Sequence, residues 1–358
     1  MPERYPSVTV KLLFVTIILG ACLFAAGLVS IVTGSVMIPP KTVISLLVSK
    51  ILGHGTSPVP LAWQTIIIEV RLPRTALGAI VGASLSAAGV TFQGLLRNPL
   101  ADPYITGVSS GAALGAVLAI ITGLPVLLLK AGVARVMSGA IIPIFAFFGG
   151  MAAVYTVLAL SRARGHIPTD TFLLAGVVVG SFFWAVVSFL MTVAGRALHE
   201  MIFWLMGSLS SRTWGDVYMV LPWALTGFGI MWFFSRDLNV LALGEESALQ
   251  LGLDTEFLKK VLIIVASMVT AAAVAASGII GFVGLVVPHV MRLLIGPDHR
   301  VLLPGSILAG AAFLVLADTL ARVLIAPTEI PVGIITSMAG GPFFLYLLRR
   351  RKANVTYG

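Results

Sequence analysis

The carboxylates of the segment 241–257 are the side chains best suited to chemistry in this sequence. The segment reads LALGEESALQLGLDTEF and holds Glu245, Glu246, Asp254 and Glu256, while the runs on either side of it have very few carboxylates. Acids in the middle of a membrane span can bind a driving cation or relay protons. Acids on a short segment between spans can instead keep a docking surface in water. The choice depends on where the spans lie.

Three other chemistries lack the residues that they need. A chain that hydrolyses ATP itself needs a phosphate-binding loop of the form G-x-x-x-x-G-K-[ST], but no Gly-Lys pair occurs. An intramembrane protease needs a Ser/His dyad or a metal pair inside a span, but four of the five histidines fall in predicted loops and His289 follows Pro288 in an interrupted helix. Because Cys22 is the only cysteine, no internal disulfide and no cysteine metal cluster can form. We therefore expect no catalytic residue, no metal site and no cofactor bound by this chain.

The composition indicates a membrane protein. Of 358 residues, 58% are hydrophobic and only 10% are charged, which argues against two or three soluble domains. The net charge of +9 owes much to the tail 349–352, which reads RRRK. We interpret this basic balance as membrane orientation and expect no nucleic-acid partner. The whole chain, 1–358, is predicted to be one transmembrane domain in contact with membrane lipid.

Ten apolar segments are predicted to be transmembrane helices, since a helix needs about 20 mostly apolar residues to cross a bilayer. They are 12–37, 75–96, 105–129, 137–160, 172–195, 216–235, 258–279, 281–295, 301–323 and 332–348. The first lacks a convincing cleavage site, so we interpret it as a retained span. The eighth is short and contains Pro288, so protein or a water-filled cavity should surround its freed backbone groups. The predicted fold class is all-α, a polytopic membrane protein with ten transmembrane helices.

The distribution of lysine and arginine predicts the orientation of these helices. Arg4 and Lys11 flank the first span and place the N-terminus in the cytoplasm, and an even number of spans returns the RRRK tail to the same side. Of the 23 basic residues, 14 then face the cytoplasm. These are Arg4, Lys11, Arg97, Arg162, Arg164, Arg236, Lys259, Lys260, Arg292, Arg300 and the four residues of the tail.

Small residues are frequent in the predicted spans. Examples are GASLSAAG (82–89), SSGAALGA (109–116) and AAAVAASG (271–278). Small side chains let membrane helices approach closely, so we expect a tightly packed bundle.

Nearly all charged residues fall at the ends of the predicted spans. This disfavours a secondary carrier or a proton pump, which usually keeps ionisable residues in the middle of its spans. The deepest acid, Asp318, lies four residues before Arg322. That spacing places both side chains on one helix face and predicts a local ion pair near the outer interface.

The segment 236–260 lies between the sixth and seventh spans, on the predicted cytoplasmic side. It has five acids against three bases, and Gly244 and Gly252 divide it into short helical pieces whose apolar side is too brief to cross the membrane. Such a pair of short helices is well shaped to dock in a groove of a cytoplasmic partner. Because the chain has no nucleotide loop, we interpret it as a pore-forming subunit that takes its energy from that partner.

Five blocks of the sequence resemble the FecCD/BtuC-type permease family, the membrane subunits of type II ATP-binding cassette importers for iron chelates, haem and vitamin B12. The blocks are RLPRTALGAIVGASLSAAG (71–89), RNPLADPYITGVSSGAALGA (97–116), LALGEESALQLGL (241–253), GFVGLVVPHVMRLLIGPDHRVLLPG (281–305) and EIPVGIITSMAGGPFF (329–344). The resemblance covers nearly the whole chain. It implies the BtuC-like permease fold with ten helices per subunit, in the inner membrane of a prokaryote.

The resemblance also implies a set of partners. Two copies of the chain would form a homodimer around a central path, with two copies of a cytoplasmic ATPase, which binds ATP and Mg²⁺, on one side. A periplasmic or lipid-anchored binding protein would deliver the metal chelate on the other side. The chain itself would be a transporter permease and not an enzyme. Its cargo would be a ferric siderophore or haem, with vitamin B12 or another corrinoid as the alternative.

The resemblance assigns four groups of site residues. Within the coupling helices, 236–257, the residues that contact the ATPase would be Leu243, Gly244, Glu245, Glu246, Leu249, Gly252 and Leu253. Exposed outer arginines, Arg71, Arg74 and Arg322, would bind carboxylates of the binding protein. The cytoplasmic gate would comprise Asn98, Leu100, Thr169 and Asp170. The translocation path would be lined by Met201, Phe203, Met206 and Ser208.

Plainer interpretations stay open for three of these groups. Arg71 and Arg74 could be ordinary interfacial anchors of the second span. The Asn-Pro and Asp-Pro sequences of the gate could be plain turns, and Asp170 is acidic where a small hydroxyl is expected. The Met and aromatic side chains of the path could be packing residues. A secondary carrier or channel, and a membrane enzyme, remain the other classes of function.

Overall fold

A computed structural model describes residues 7–34, 36–51, 59–132, 135–162 and 166–355, without the side chains of 51, 135–138 and 347–355. Arg4, Arg164 and the side chains of the RRRK tail, which support the predicted orientation, lie outside this set. The described residues form fifteen helices joined by turns. In chain order the helices are α1 (Val8–Val32), α2 (Pro40–Ile51), α3 (Leu61–Leu95), α4 (Val108–Ile121), α5 (Leu124–Lys130), α6 (Arg135–Ser161), α7 (Thr169–Val193), α8 (Leu198–Leu205), α9 (Trp214–Phe233), α10 (Ser235–Leu241), α11 (Glu245–Gln250), α12 (Thr255–Ser277), α13 (Val283–Ile295), α14 (His299–Val323) and α15 (Val332–Val355).

Seven helices are each long and apolar enough to cross a membrane, namely α1, α3, α6, α7, α9, α12 and α14. An eighth crossing results if α4 and α5, which meet at a bend of 43°, act as one span. The helix α13 and the part Val332–Tyr346 of α15 are shorter and also apolar. Over the described part of the chain, these elements agree with the predicted all-α class and are roughly consistent with the ten predicted spans.

The second predicted span begins too late. The structure has one continuous helix over Leu61–Leu95, which includes π-helical turns at Ile66–Arg71. The charged side chains of Glu69 and Arg71 lower the hydropathy of its first part, so the apolar pattern became clear only after residue 74. The short helices α2 and α8 are also absent from the sequence-based prediction, because neither is long enough to produce a span signal.

The centre of the bundle consists of α3, α12 and α14, most of whose residues are buried, whereas α1 and α7 are mostly exposed. The helix α3 packs against α14, α12, α13 and α9, and α4 packs against α6. Large apolar side chains, among them Leu174, Phe182 and Phe189, project from the exposed face of α7. In a membrane, such a face is covered by lipid or by another protein.

Glycines bring the central helices into backbone contact. A Cβ atom added to Gly89 of α3 would overlap the carbonyl oxygen of Gly284 in α13, and one added to Gly82 would overlap that of Gly310 in α14. The helices α4 and α6 touch in the same way. The small residues at these positions therefore serve helix packing, as the sequence pattern predicts.

Substitution of Gly89 tests this packing. We expect Gly89→Ala to lower the free energy of unfolding by about 1–3 kcal/mol, because a backbone oxygen cannot move aside unless the whole of α13 moves. Gly20→Ala in α1 is the matched control, since a Cβ atom there meets nothing within 4 Å. Thermal unfolding of the detergent-purified protein measures both variants. Equal melting temperatures would contradict the close contact.

Candidate functional site

The short helix α11 is bounded by a glycine at each end. Gly244 precedes it with φ 117° and ψ 151°, a conformation that glycine adopts much more readily than other residues. Gly252 follows it with φ 83°. Its N–H donates to the carbonyl oxygen of Leu249 (2.9 Å), and the N–H of Leu253 donates to that of Ala248 (3.0 Å). This is the hydrogen-bond pattern of a helix that ends at a glycine in the left-handed conformation.

Three leucines on this segment point away from the protein. Leu243, Leu249 and Leu251 are 68%, 55% and 68% exposed, and we call them the leucine face. Leu241 and Ala248, on the same segment, are buried. Because α10 and α11 are too short to span a membrane, the bilayer core does not explain the exposed leucines. Grouped apolar side chains on such a surface mark a site of protein contact.

The other residues predicted for coupling surround the leucine face. Glu246 and Gly252 are exposed, whereas Gly244, Glu245 and Leu253 are half-buried. Glu245 turns inward because its carboxylate accepts a hydrogen bond from Nζ of Lys259 in α12 (2.6 Å). The predicted group is therefore divided into an open part and a part that is bound to the helix bundle.

A second anchor joins α10 to the residue before α14. Nδ2 of Asn239 donates to Oδ1 of Asp298 (2.8 Å), and Oδ1 of Asn239 accepts the backbone N–H of His299 (2.9 Å). Hydrogen bonds from Arg300 and Asn239 hold the pKa of the Asp298 carboxyl below its usual range. Asp298 thus stays ionised, and the leucine face is held against both α12 and α14.

Two loops contain the residues predicted to form a gate. In the first, Oδ1 of Asn98 accepts the backbone N–H of Leu100 (2.9 Å), and both residues are exposed. This is ordinary turn chemistry, so a turn alone accounts for Asn98. In the second loop, Thr169 begins α7 and is half-buried, and Asp170 is exposed. The gate itself stays a prediction.

A cavity of about 250 Å³ lies between the start of α4 and the middle of α7. The helix α4 begins here after Gly107, whose φ is 75°, and the turn Pro103–Thr106 precedes it. On α7, Gly176 and Gly180 lie one helical turn apart in the cavity wall. A Cβ atom at Gly176 would overlap the carbonyl oxygen of Ile105, so Gly176 serves close packing, whereas Gly180 has more room beside it. The lining residues, none of them charged, are Tyr104, Ile105, Gly107, Ser109, Ser110, Gly176, Val177, Gly180, Ser181 and Trp184. The repeated small residues are the sequence signal that would have pointed to this cavity.

The four residues predicted to line the path do not line this cavity, and their role in a path stays a prediction. Met201 is fully buried in an apolar cluster with side chains of α4 and α7. Its long apolar side chain fills the space between these helices, which is the packing interpretation of the sequence. Phe203 is exposed, and Met206 and Ser208 are half-buried, but the cavity wall does not include them.

A buried charge network lies at the opposite end of α3 from the leucine face. Nε and Nη2 of Arg74 bind the two oxygens of Asp318 (2.9 Å each), and Nη1 of Arg74 binds Oε2 of Glu329 (2.9 Å). Asp318 also binds Arg322 (3.2 Å), so the ion pair expected from their four-residue spacing is present. Arg71 donates to the carbonyl oxygens of the last two residues of α1 (2.6 and 2.9 Å).

The expectation that these arginines are exposed is wrong. Arg71, Arg74 and Arg322 are only 5%, 7% and 5% exposed. They turn inward because carboxylates and the free carbonyl groups at the end of α1 offer charge-assisted hydrogen bonds. The arginines therefore join helices first of all, and their contact with a binding protein stays a prediction.

Comparison with known proteins gives a consistent result. The profile of the FecCD transport family matches residues 22–350. The chain is 51% identical over 296 residues to the cobalamin import system permease protein BtuC of Halobacterium salinarum, a match that covers 83% of this chain and 76% of the relative. It is 41% identical over 305 residues to the hemin transport system permease protein HmuU of Yersinia pestis, a match that covers 83% of this chain and 87% of the relative. A solved inward-facing structure, assigned to the metal-chelate type of ABC transporter, superposes with a TM-score of 0.79 at 30% identity and covers 94% of this chain and 99% of that one.

Proposed function

Because the chain belongs to the FecCD transport family, we propose that it is the membrane subunit of an ATP-binding cassette importer that carries a ferric siderophore or haem across the inner membrane of a prokaryote. The chain is a multi-pass membrane protein, and its family is one of ABC permeases, which are transporters. In the proposed complex, a separate ATPase subunit binds ATP and Mg²⁺ and performs the hydrolysis. This division of labour is supported by the absence of a phosphate-binding loop from the sequence.

The leucine face is the observation that carries this proposal. Energy released in a separate subunit can reach the pore only through a contact surface between the two proteins. The leucine face is apolar and exposed, and it lies on a segment whose helices, α10 and α11, are too short to span a membrane. Hydrogen bonds join these helices to α12 and α14, so a displacement of the leucine face would be passed to helices at the centre of the bundle. We assign ATPase docking to this surface.

The positions of the other proposed partners follow from the assignment of the ATPase to the leucine face. The leucine face and both termini lie in the cytoplasm, and two copies of the chain form a homodimer that binds two ATPase subunits. The binding protein docks at the opposite end of the bundle, near Arg71, Arg74 and Arg322. Glu329 already binds Arg74 and is itself only half-buried. A carboxylate of the binding protein would therefore have to reach an arginine that Glu329 already partly covers.

The cavity between α4 and α7 is the proposed part of the translocation path. Its glycine and serine lining projects few large side chains into the space, and it carries no fixed charge that would hold a ligand in place. The exposed apolar face of α7 lies on the same helix. A second copy of the chain that packs near this face would close the path from the other side.

Cobalamin is the second candidate cargo. The 51% identity to a cobalamin import permease favours it, whereas the 41% identity to a hemin permease favours the first proposal. Cargo is captured by the binding protein before it reaches the permease, so the lining of the path alone does not select between the two.

Uptake by the reconstituted complex tests the proposed function. The permease is placed in proteoliposomes with a candidate ATPase and a candidate binding protein from the same organism, and the vesicles are offered a ferric siderophore, haem or cyanocobalamin. We expect uptake of one ligand that requires ATP and the binding protein, with a matched sample that lacks the ATPase as the control. Uptake that is the same without the ATPase would indicate a channel or a secondary carrier.

A further inference from the structure

Lys259 is a buried lysine with two carboxylate partners. It lies near the start of α12 and is only 5% exposed. Its Nζ atom donates to Oε1 of Glu245 in α11 (2.6 Å) and lies 3.6 Å from Oε1 of Glu256, one turn earlier in α12. A buried ammonium group is stable only when it is paired. Lys259 therefore holds α11 against the start of α12.

Glu256 connects this charge to a third element. Its Oε2 atom accepts the backbone N–H of Ile167 (3.0 Å), and its Oε1 atom lies 3.6 Å from Nδ1 of the exposed His166. Ile167 is buried, and α7 begins two residues later, at Thr169. A continuous series of polar contacts, two hydrogen bonds and the Lys259–Glu256 ion pair, thus runs from α11 to the residues that precede α7.

This series of contacts joins the proposed ATPase-docking surface to the proposed translocation path. The helix α11 carries part of the leucine face, and α7 forms one wall of the cavity. Ile167 and Glu256 are 89 positions apart in the sequence, so the chain itself does not keep them together. The link is a backbone hydrogen bond to a carboxylate whose charge is compensated by a buried ammonium group, and such a bond is stronger than one between neutral groups.

We propose that Lys259 and Glu256 are positioning residues that make α11 and the start of α7 move as one unit. When the ATPase displaces the leucine face, the Lys259–Glu256 link carries the displacement to α7 and changes the width of the cavity. This inference rests on the proposed function, because it needs an ATPase at the leucine face. It adds two residues that the resemblance to known permeases did not assign.

Replacement of each partner tests the link. Glu256→Gln retains an oxygen that can accept the N–H of Ile167 but removes the charge that faces Lys259. Lys259→Met removes the ammonium group and keeps an unbranched side chain. Lys260→Met is the matched control, since Lys260 is the next residue and is half-exposed. In the reconstituted full complex, we expect the amount of substrate taken up per ATP hydrolysed to fall roughly fivefold or more in the first two variants and to stay at the wild-type value in the control.

A distance measurement separates this role from a merely structural one. Spin labels at Gln250 and Asp170, both exposed, report the separation of α11 and the start of α7 in a Cys22→Ser background. In the wild-type complex, ATP binding should leave this distance unchanged because the two elements move together. In Glu256→Gln the distance should change when ATP binds. A variant that is only less stable would have a lower melting temperature and an unchanged distance.

The outcomes are distinct. Wild-type uptake per ATP in the folded Glu256→Gln complex would overturn the link while leaving the proposed function intact, and this variant decides the matter alone if Lys259→Met does not fold. Absence of ATP-dependent uptake in the wild-type complex would overturn both proposals.

Discussion

Leu249→Glu should weaken the binding of the ATPase to the permease by roughly 30-fold or more. Leu249 is the residue of the leucine face that lies within α11, and it is exposed. Full burial of a leucine side chain contributes about 2 kcal/mol, and each 1.4 kcal/mol corresponds to about a tenfold change in affinity. The glutamate would also place a charge where the partner is expected to be apolar. Titration of the purified permease with the ATPase, followed by calorimetry, measures the dissociation constant.

Gln250→Glu is the matched control for this change. Gln250 is the next residue on α11 and is also exposed, so the same charge is added to the same helix about 100° around its axis. We expect its dissociation constant to stay within about threefold of the wild-type value, as is usual for residues outside the centre of an interface. If both variants bind the ATPase as tightly as the wild type, the leucine face is not the docking surface.

Arg74→Ala should be the most destabilising single substitution in the charge network. It removes the partner shared by Asp318 and Glu329, and Asp318 is almost fully buried. Loss of one member of a buried ion pair typically costs about 3–5 kcal/mol. Asp318 would keep Arg322 as a partner (3.2 Å), so we expect a cost near the lower end of this range. Thermal unfolding of the detergent-purified permease should show a melting temperature lower by roughly 6 °C or more.

Two further variants provide reference values for the effect of Arg74→Ala on the free energy of unfolding. Arg196→Ala removes an exposed arginine outside the network and should change the free energy of unfolding by less than about 0.5 kcal/mol. Glu329→Gln removes the half-buried partner and should cost less than Arg74→Ala, because water can still solvate this position. A melting temperature of Arg74→Ala equal to that of Arg196→Ala would show that the network does not stabilise the helix bundle.

The sequence predicted the spans well because each one needs a run of about 20 apolar residues, and such a run is visible without any knowledge of the fold. It failed at the start of α3 for the same reason. Glu69, Arg71 and Arg74 interrupt the apolar run there. The structure stabilises two of these charges with groups on other helices, so they do not end the helix.

The burial of the arginines could not be read from their own neighbourhood in the sequence. Arg74 finds Asp318 at a separation of 244 positions and Glu329 at 255 positions. Only the pair of Asp318 and Arg322, four residues apart on one helix, was visible in advance. The Lys259–Glu256 spacing was equally local, but its meaning depends on Ile167, which the fold brings from a distant loop.

The cavity shows a different limit of sequence-based prediction. Methionine and phenylalanine near the start of α8 suggested a soft lining, but Met201 is used for packing. The wall of the cavity between α4 and α7 includes residues with little or no side chain, Gly176 and Gly180 on α7, and the turn before α4. Of the two glycines, Gly176 also packs against the backbone of Ile105. Glycine in a membrane helix has two uses, close packing and free volume, and one sequence does not distinguish them.

The backbone contacts of α3 also bear on how this protein can evolve. At Gly89 and Gly82 no smaller residue exists, and any larger one meets a carbonyl oxygen of a neighbouring helix. Substitution of either glycine therefore requires that a neighbouring helix move. The wall that α7 contributes to the cavity has no such restriction at Ser181 or Trp184, both of which are exposed. If this protein were selected to carry a new cargo, we expect the first accepted substitutions to occur on α7, while α3 stays unchanged.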